Sequence, residues 1–520
     1  RYLNFNLKIF QLNSVVERES FSRKKLIILL FFLSFLFLYQ DWDEFGFSIF
    51  EEGMPLSGGT IFELGLKPWI DIYLNTGLFH DLLDAKIAWS ITDNKTIGSY
   101  KFYIHLLNLI SQILIIYFLF KLSLQINLKK IRELFFILSV FALFASLNNA
   151  SLWKDIPVIL FLISILNYLN FERRNFSLFS ICFLSVFTFF WSLDRGFFIF
   201  LTFIPFLLLV FLNNKKEFFK FIITFLIYVS FLIIIFGIDI FLSFLNHTYE
   251  IFTQHEMING IIHPTPFSGE DNASRASKAL MLIILNSIIT ILIVFDKEKL
   301  FNNNTKFIFI FFQILNFLIY KSALSRSDGG HIQTASYLSI LLFLIYVIFY
   351  LLNYFVKLKH FKIFFSKKNI IFYLILIFIL SKNIFSLENI YKFPKNIKNF
   401  VSASDENFLD KNYYRSLKKV NAYFNKDECI FSFSYDLAIF YLINKKSCSK
   451  FFNVWVIGSN QNQKKYILQI EDKKPKFILK GGIIKFQSLD ERYPYINKYI
   501  EENYKKVDEF DGWQIYKKNT

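Results

Sequence analysis

Residues 41–56 read DWDEFGFSIFEEGMPL, and residues 65–83 read GLKPWIDIYLNTGLFHDLL. Both belong to the segment 41–97, the longest polar stretch between two hydrophobic runs, which holds ten acidic residues against three lysines. The runs on either side of it are long enough to cross a hydrocarbon core of about 30 Å. An acidic loop framed by such runs predicts a membrane-embedded chain with a large polar loop on one face.

The composition places the whole chain among polytopic membrane proteins. Of its 520 residues, 54% are hydrophobic and 71 are phenylalanine, which is too apolar for a soluble protein. Eleven apolar runs are long enough to span, at about 26–40, 103–120, 134–148, 156–170, 177–193, 196–212, 218–243, 279–295, 306–322, 336–356 and 369–387. The fifth and sixth runs could form one hairpin or one long interrupted helix.

The charges of the connections predict the orientation, because lysine and arginine near the ends of spans stay in the cytoplasm. The N-terminal flank and alternate connections are basic: Arg23, Lys24 and Lys25; Lys129, Lys130 and Arg132; Arg173 and Arg174; Lys215, Lys216 and Lys220; Lys297, Lys299 and Lys306; and Lys357, Lys359, Lys362, Lys367 and Lys368. The segments 41–97, 149–155, the Asp194 junction, 244–277, 323–335 and the tail after about 390 are then expected outside. We predict a multi-pass protein of the inner (plasma) membrane with a cytoplasmic N-terminus and an extracytoplasmic tail.

The net charge of +17 does not indicate nucleic acid binding, since membrane insertion and anionic inner-leaflet lipids account for its membrane-proximal part. The first apolar run is long, has a basic flank and is followed by no small-residue cleavage site, so it is expected to be a retained signal anchor. Membrane lipids are therefore an expected partner, and nucleic acid is not.

The carboxylates that open the first outer loop are the main catalytic candidates. They are Asp43, Glu44, Glu51 and Glu52. All lie near the expected exit of the first span, where a carboxylate whose pKa is raised by burial can act as a general base. Each one taken singly could instead be a solvated loop charge. Asp41 and Asp43 also spell the DxD of soluble nucleotide-sugar transferases, but nucleotide sugars are cytoplasmic and this loop is expected outside.

The order of motifs in this loop resembles the first periplasmic loop of the GT-C superfamily of membrane glycosyltransferases. The shared features are an acidic pair after the first span, then Glu-Gly, a G-x-x-P-x-x-D turn at 65–71 and a glycine before an amphipathic helix. The resemblance implies a mannosyltransferase-like or aminoarabinose-transferase-like enzyme with a polyprenyl-phosphate-linked sugar as donor, an outward-facing site and a first-loop acid as base. Either acidic pair, 43–44 or 51–52, matches the family position, and Asp71 matches a later one with a structural or acceptor-binding role.

Two short motifs at the expected outer membrane boundary carry charged pairs. NNASLWKD places Lys154 and Asp155 where the family often has a further charged pair, although an interfacial anchor with a capping Asp explains them equally well. WSLDRG places Asp194 and Arg195 between two apolar spans, where a charged pair is costly unless it is paired or used. This pair is either an internal salt bridge or a holder of the lipid phosphate through its arginine.

Two further outer segments carry histidines. The histidine spacings in 244–277 fit no compact zinc motif, so we expect a mobile segment that covers the substrate rather than a metal site. SRSDGGH brackets a Gly-Gly turn with Arg326, Asp328 and His331. Turn chemistry explains the Ser-Asp-Gly-Gly alone. The whole resembles an R-x-D-x-x-H element of some bacterial GT-C-like proteins, which implies a phosphate-binding or sugar-binding role.

The tail loses the apolar runs and is expected to form a small α/β domain at 389–520, after a transmembrane module at 1–388. Strands are predicted at ECIFSFS, KFILK and GWQIYKK, and helices at YDLAIFYLIN, KKYILQIEDKKP and YPYINKYIEENYKK. This order resembles the C-terminal periplasmic domain of many GT-C enzymes. Cys429 and Cys448 are expected on the oxidising side, where a disulfide and two free thiols are both open readings. Cys182, within a span, is expected to be a small apolar residue.

These patterns predict an α-helical GT-C-like membrane module with a small α/β domain, which moves a sugar from a polyprenyl phosphate to a lipid, glycan or protein acceptor. In the implied mechanism a first-loop carboxylate deprotonates the acceptor hydroxyl, and Arg195, Arg326 and His331 balance the charge on the departing lipid phosphate. No metal and no other cofactor is expected. The candidates for substrate binding are Asp71, Lys154, Asp155, Asp194, Arg195, Arg326, Asp328 and His331.

Two other classes of protein remain alternatives. An O-antigen-type polysaccharide polymerase or ligase would also face outward and use loop arginines, but it would not need the acidic first loop or the α/β tail. A lipid or glycan transporter would place ionisable residues in mid-span, and the spans here are nearly free of them.

Overall fold

The computed structural model of the protein describes residues 46–126, 131–146, 152–259, 265–269, 273–295, 301, 303–324, 329–357, 395, 397–425, 428–484 and 488–519. The described chain is mostly helical and has a small sheet near its C-terminus. The predicted class, a polytopic helical protein with an α/β tail, is confirmed at that level. The predicted spans at about 26–40 and 369–387 lie outside the described residues, as do Asp43, Glu44, Arg326 and Asp328.

Most of the described helices correspond to predicted spans. In chain order they are α1 (Gly53–Glu63), α2 (Asp84–Thr92), α3 (Ile97–Leu124), α4 (Arg132–Ser146), α5 (Ile156–Leu169), α6 (Arg174–Trp191), α7 (Leu193–Asn213), α8 (Lys215–Phe236), α9 (Ile238–Asn259), α10 (Ala273–Phe295), α11 (Asn303–Leu324) and α12 (Gly329–Lys357). Seven of them, α3, α6, α7, α8, α10, α11 and α12, are long and apolar enough to cross a membrane. Because α4 and α5 have only 15 and 14 residues, the count of eleven spans is not confirmed.

The two runs on either side of Asp194 form a helical hairpin. Ser192 is extended, with φ −154° and ψ 122°, and separates α6 from α7. The ring centroids of Phe189 and Phe200 are 6.1 Å apart, whereas one continuous helix would separate these positions by about 16 Å. Gly196 permits the close approach, since a Cβ there would lie 2.6 Å from the Phe189 Cα. The chain therefore turns back at the Asp194 junction.

The region after α8 differs from the prediction. The predicted span at 218–243 ends early, because α8 stops at Phe236 and Gly237, with φ +80°, separates it from α9. The expectation of a mobile loop from residue 244 is wrong for 244–259, which belong to α9. Phe244, His247 and Ile251 are buried. Their helical spacing was hidden by the mixed polar composition of this stretch.

The tail forms a four-stranded sheet with the order β1-β2-β4-β3. The strands are β1 (Phe431–Phe433), β2 (Phe477–Gly481), β3 (Tyr504–Phe510) and β4 (Trp513–Lys518), and the helices are α13 (Lys411–Ala422), α14 (Ile439–Leu442), α15 (Asn460–Lys473), α16 (Leu489–Arg492) and α17 (Pro494–Asn503). Strand β1 pairs in parallel with β2, and the other pairs are antiparallel. The three predicted strands are confirmed. The prediction that the last helix includes its YKK end is wrong, because Tyr504 begins β3, the hairpin partner of β4.

The structure shows whether the two cysteines of the tail are bonded, which the sequence left open. Cys429 and Cys448 form a disulfide, which ties the start of the sheet to the segment after α14. Cys182 is a buried free cysteine, as expected for a residue within a span.

The first loop and the tail share one hydrophobic core. The Ser57 hydroxyl donates to the Leu437 carbonyl at 2.5 Å and accepts the Tyr441 N–H at 3.1 Å. The Tyr73 N–H donates to the Lys450 carbonyl at 2.8 Å. The tail is therefore fixed onto the first loop, while the domain boundary at 388 remains a prediction.

Within the first loop, α1 packs at very short range against a later turn of the same loop. That turn, Phe79–Leu83, is π-helical and leads directly into α2. A Cβ on Gly58 would lie 1.8 Å from the Asp81 carbonyl oxygen, and one on Gly59 would lie 3.0 Å from the Ala85 Cβ. The Gly-Gly pair thus lets α1 pack on the turn that carries several polar side chains of the candidate site.

Candidate functional site

The first loop, the turn Trp153–Asp155 and the corner between α6 and α7 meet at one end of the helix bundle. The Leu193 N–H donates to the Thr76 carbonyl at 2.7 Å. The rings of His80 and Trp153 are 4.9 Å apart. Three of the segments predicted to lie outside are thus neighbours, together with the tail. Which side of the membrane they face remains a prediction.

Asp81 holds the shape of the first loop. It is 1% exposed, and its Oδ2 accepts the N–H groups of Asn75 at 2.7 Å and Thr76 at 2.9 Å. Its Oδ1 accepts the Thr76 hydroxyl. The adjoining Gly77 has φ +143°, and a Cβ there would lie 3.0 Å from the Trp191 carbonyl oxygen. Asp81 is therefore a structural anchor that fixes this turn against the corner of the hairpin.

Arg195 joins the two charged pairs that the sequence singled out. Its Nε lies 2.7 Å from the Asp155 Oδ1, and its Nη1 contacts the Asp194 carboxylate. The Asp194 Oδ1 also accepts the Ser192 hydroxyl at 2.6 Å. Arg195 is 9% exposed, so two carboxylates compensate its charge. Of the two alternatives that the sequence left for Asp194 and Arg195, the structure shows the internal salt bridge. A role for Arg195 in holding lipid phosphate remains a prediction.

Lys154 is placed differently from Arg195. It makes no salt bridge within the described residues, and its Nζ lies 5.5 Å from the centroid of the Trp153 ring. Burial lowers its pKa, and the charge of Arg195 acts in the same direction. The negative charges of Asp194, Asp81 and Glu51 act in the opposite direction. A half-buried ammonium without an ion-pair partner gains by binding an anion, because the anion stabilises the charged form.

The two described carboxylates of the acidic motif have different surroundings. The Glu52 Oε2 accepts the Ser48 N–H at 2.7 Å, and its Oε1 lies 3.2 Å from the Lys101 Nζ. Burial raises the pKa of Glu52, although Lys101 and the Ser48 hydrogen bond partly offset this. Glu51 is exposed, and its charge reaches Lys154. Glu51 is therefore the more accessible of the two to an incoming hydroxyl.

The buried carboxyl group of Asp84 and the imidazole of His80 lie close to each other in the first loop. Asp84 is 0% exposed and His80 is 7% exposed, with 3.8 Å between the His80 Nδ1 and the Asp84 Oδ2. The Tyr103 hydroxyl donates to the Asp84 Oδ1 at 3.4 Å. Burial raises the pKa of Asp84 to about 8, against the opposing effects of Tyr103 and Lys154. Burial also lowers the pKa of His80, so both groups are mainly neutral at pH 7.

The structure also describes Asp71 and His331, two other residues predicted to belong to the site. The Asp71 Oδ2 accepts the Lys67 N–H at 2.9 Å, which closes the turn that follows α1. His331 lies in the first turn of α12, where its neighbour Ile332 packs in a small cluster with residues of α10 and α11. The geometry gives Asp71 a structural role. Substrate binding by Asp71 and phosphate or sugar binding by His331 remain predictions.

Comparison with solved structures matches the crystal structure of ArnT from Cupriavidus metallidurans bound to undecaprenyl phosphate. The TM-score is 0.47 and the identity is 10%, over 95% of this chain and 98% of that chain. No protein-family model and no curated protein matches the chain. A likeness at this TM-score does not assign a function, which therefore depends on the residues of the site.

Sequence reasoning missed the polar residues that surround Lys154 from the first loop. Asp84 was one acidic residue among ten in this segment, with no pattern to mark it as buried. Its spacing of four residues from His80 was a usable signal, since residues four apart lie on one face of a helix. Lys101, which pairs with Glu52, falls between the first loop at 41–97 and the predicted span at 103–120, and so it was not considered.

Proposed function

We propose that the protein is an integral membrane glycosyltransferase that transfers a sugar from a polyprenyl phosphate to an acceptor on the extracytoplasmic face. The observation that carries the proposal is the half-buried ammonium of Lys154, which has no salt bridge within the described residues and lies in the field of Glu51. Sugar transfer from a lipid phosphate needs a cation at the departing phosphate and a carboxylate at the attacking hydroxyl. This pair supplies both.

In the proposed reaction the Glu51 carboxylate takes the proton of the acceptor hydroxyl. The acceptor oxygen forms a bond to the anomeric carbon of the sugar while the bond from that carbon to the phosphate oxygen breaks. The bonding electron pair leaves on the phosphate, whose additional negative charge is stabilised by the Lys154 ammonium. The products are the glycosylated acceptor and the free polyprenyl phosphate, and the proton remains on Glu51 until solvent removes it.

The other charged residues of the site act as positioning groups in this proposal. Arg195 holds Asp155 and Asp194 and so fixes the turn that carries Lys154. Glu52 binds Ser48 and Lys101 and so fixes the turn that carries Glu51. The pair 43–44 is the alternative source of the base, and Arg326 and His331 are further candidates for phosphate contacts. The tail from 389 onward would lie outside with the site.

The test is sugar release and transfer by the purified protein in detergent with a panel of polyprenyl-phosphate hexoses and pentoses. Lys154→Gln is expected to lower kcat by about 10²–10³-fold, the range for loss of one group that stabilises developing charge. Lys154→Arg should retain part of the rate. The control Lys95→Gln removes an exposed lysine of the first loop, paired with Glu63 at 3.0 Å, and should leave the rate unchanged.

Two results would count against the proposal in different ways. A wild-type protein that binds and consumes no member of the panel would remove the transferase activity itself and favour a polymerase, ligase or transporter. A wild-type protein that turns over, with Lys154→Gln equal to it, would keep the activity and refute the role given to Lys154.

A further inference from the structure

A second polar cluster includes a residue of the first loop but none of the residues paired with Arg195. It forms where three segments meet: the first loop at Tyr73, α9 at His247 and Glu250, and the tail at Lys450 and Lys465. The rings of Tyr73 and His247 are 4.2 Å apart, and the His247 Nε2 bonds to the Leu74 carbonyl. The Lys465 Nζ lies 2.9 Å from the Glu250 Oε2.

The cluster has one cation more than it has anions. Glu250 is matched by Lys465, whereas Lys450 makes no salt bridge among the residues that the structure describes. The Lys450 Nζ lies over aromatic rings instead, 5.5 Å from the centroid of Tyr73 and 5.0 Å from that of Phe451. Burial and the charge of Lys465 both lower the pKa of Lys450. An anion beside Lys450 would relieve both effects.

The backbone around Lys450 is held in place by the fold. Its carbonyl accepts the Tyr73 N–H at 2.8 Å, and its N–H donates to the Gln469 Oε1 at 3.3 Å. The Cys429–Cys448 disulfide ends two residues before it. The ammonium is thus presented from a fixed turn rather than from a free surface loop.

Several buried polar atoms of these three segments have no hydrogen-bond partner among the described residues. They are the Thr248 hydroxyl and the oxygens Glu250 Oε1, Gln254 Oε1 and Asn462 Oδ1, whereas the Tyr73 hydroxyl, on a side chain that is 1% exposed, interacts with the Asn462 side chain. A buried polar group left unpaired costs about 1–3 kcal/mol. Both donors and acceptors are unpaired, which calls for a ligand that accepts and donates.

We propose that Tyr73, Lys450 and Lys465 form a second anion-binding site, which holds a phosphate group. A phosphate accepts hydrogen bonds from the ammonium and hydroxyl donors, and in its protonated form donates one to a carboxylate or amide oxygen. Chloride and acetate can only accept. Lys465 and Glu250 are 31% and 17% exposed, so the site is open on that side. The phosphate belongs to a lipid headgroup or is free in solution, and the site does not depend on the transferase activity.

The test is a titration of phosphate against thermal unfolding of the full chain in detergent, at constant ionic strength, with chloride and acetate as reference anions. The titration is made in a Lys154→Gln background, so that the first site does not contribute. Phosphate is expected to raise Tm with a saturating dependence that acetate lacks. Lys450→Gln should weaken the phosphate Kd by at least tenfold, while Lys446→Gln, an exposed lysine four residues earlier, should not change it.

Tyr73→Phe provides a second variant that keeps the ring packing and removes only the hydroxyl, and it should weaken the phosphate Kd several-fold. Repeating the titration with phosphatidic acid in mixed micelles separates the two sources: tighter, Lys450-dependent binding of the lipid identifies a headgroup, and Lys450-dependent binding of inorganic phosphate alone identifies a soluble ligand. Equal Tm responses to phosphate and acetate, or an unchanged Kd in both Lys450→Gln and Tyr73→Phe, would overturn the proposal.

Discussion

Replacing Gly58 by alanine should test the packing that builds the first loop. The new Cβ would lie 1.8 Å from the Asp81 carbonyl oxygen, whereas real Cβ atoms essentially never come within 3.0 Å of another heavy atom. Helix α1 and the π-helical turn must therefore move apart by more than about 1 Å. The obstructing atom is backbone, so no side-chain rotation can relieve the contact.

The expected cost follows from two opposing terms. Overpacking in a well-packed region costs about 1–3 kcal/mol, and a backbone clash places this site at the upper end. Alanine in a helix returns up to about 1 kcal/mol relative to glycine. We therefore expect Gly58→Ala to lower the free energy of unfolding by roughly 2 kcal/mol, as the difference between these terms.

The assay is reversible unfolding in mixed micelles, followed by tryptophan fluorescence. Gly46→Ala is the matched control, because a Cβ there meets nothing within 4 Å, and it should leave the free energy of unfolding nearly unchanged. An alanine at position 58 that is as stable as the wild type would show that α1 does not pack on the turn at this distance, and the geometry given for Asp81 and its neighbours would be wrong.

Three further predictions concern stability. Replacing both Cys429 and Cys448 by serine should lower the free energy of unfolding by about 3 kcal/mol, the chain-entropy value for a loop of this size; equal denaturation midpoints with and without reductant would contradict it. Arg195→Gln should lower the free energy of unfolding by about 3–5 kcal/mol, because it leaves the buried Asp155 carboxylate without its cation, and an effect below about 1 kcal/mol would show that this pair is solvated. For Asp84 the raised pKa of about 8 means that the folded state keeps a proton that the unfolded state loses above the ordinary aspartate pKa of 3.8. Its contribution to stability therefore falls as pH rises from about 4 to 8 and is constant above that range. Unfolding measured over pH 4–9 should show Asp84→Asn gaining stability relative to wild type across this window, and parallel pH profiles would refute the assignment.

The sequence predicted the class of fold because the length of an apolar run is a local property that the bilayer thickness constrains. Hydropathy does not report breaks within an apolar run, so the end of α8 at Gly237 and the separate helix α9 were not predicted. The packing of the tail on the first loop also could not be predicted from local sequence patterns. The hydrogen bond from Ser57 to the Leu437 carbonyl joins residues 380 positions apart, and no periodicity links such distant segments.

The candidate site was partly predictable because charge at the end of an apolar span is costly and so marks a used or paired group. That reasoning found Lys154, Asp155, Asp194 and Arg195. It could not show that Arg195 would take both carboxylates and leave Lys154 without a salt bridge, since this depends on how two turns approach each other. Asp84 and Lys450 were missed for a similar reason, because only tertiary packing reveals their burial.

The central claim is that the first loop supplies a general base for sugar transfer from a polyprenyl phosphate. The most direct measurement is the rate of transfer by wild type and by Glu51→Gln, Glu52→Gln, Asp43→Asn and Glu44→Gln, with the folding of each variant checked by thermal unfolding. The account predicts a fall of about 10²–10⁴-fold for Glu51→Gln, the usual contribution of a general base, and a smaller fall for Glu52→Gln. Full activity in Glu51→Gln together with a collapse in Asp43→Asn or Glu44→Gln would move the base to the earlier pair, and full activity in all four would contradict the claim.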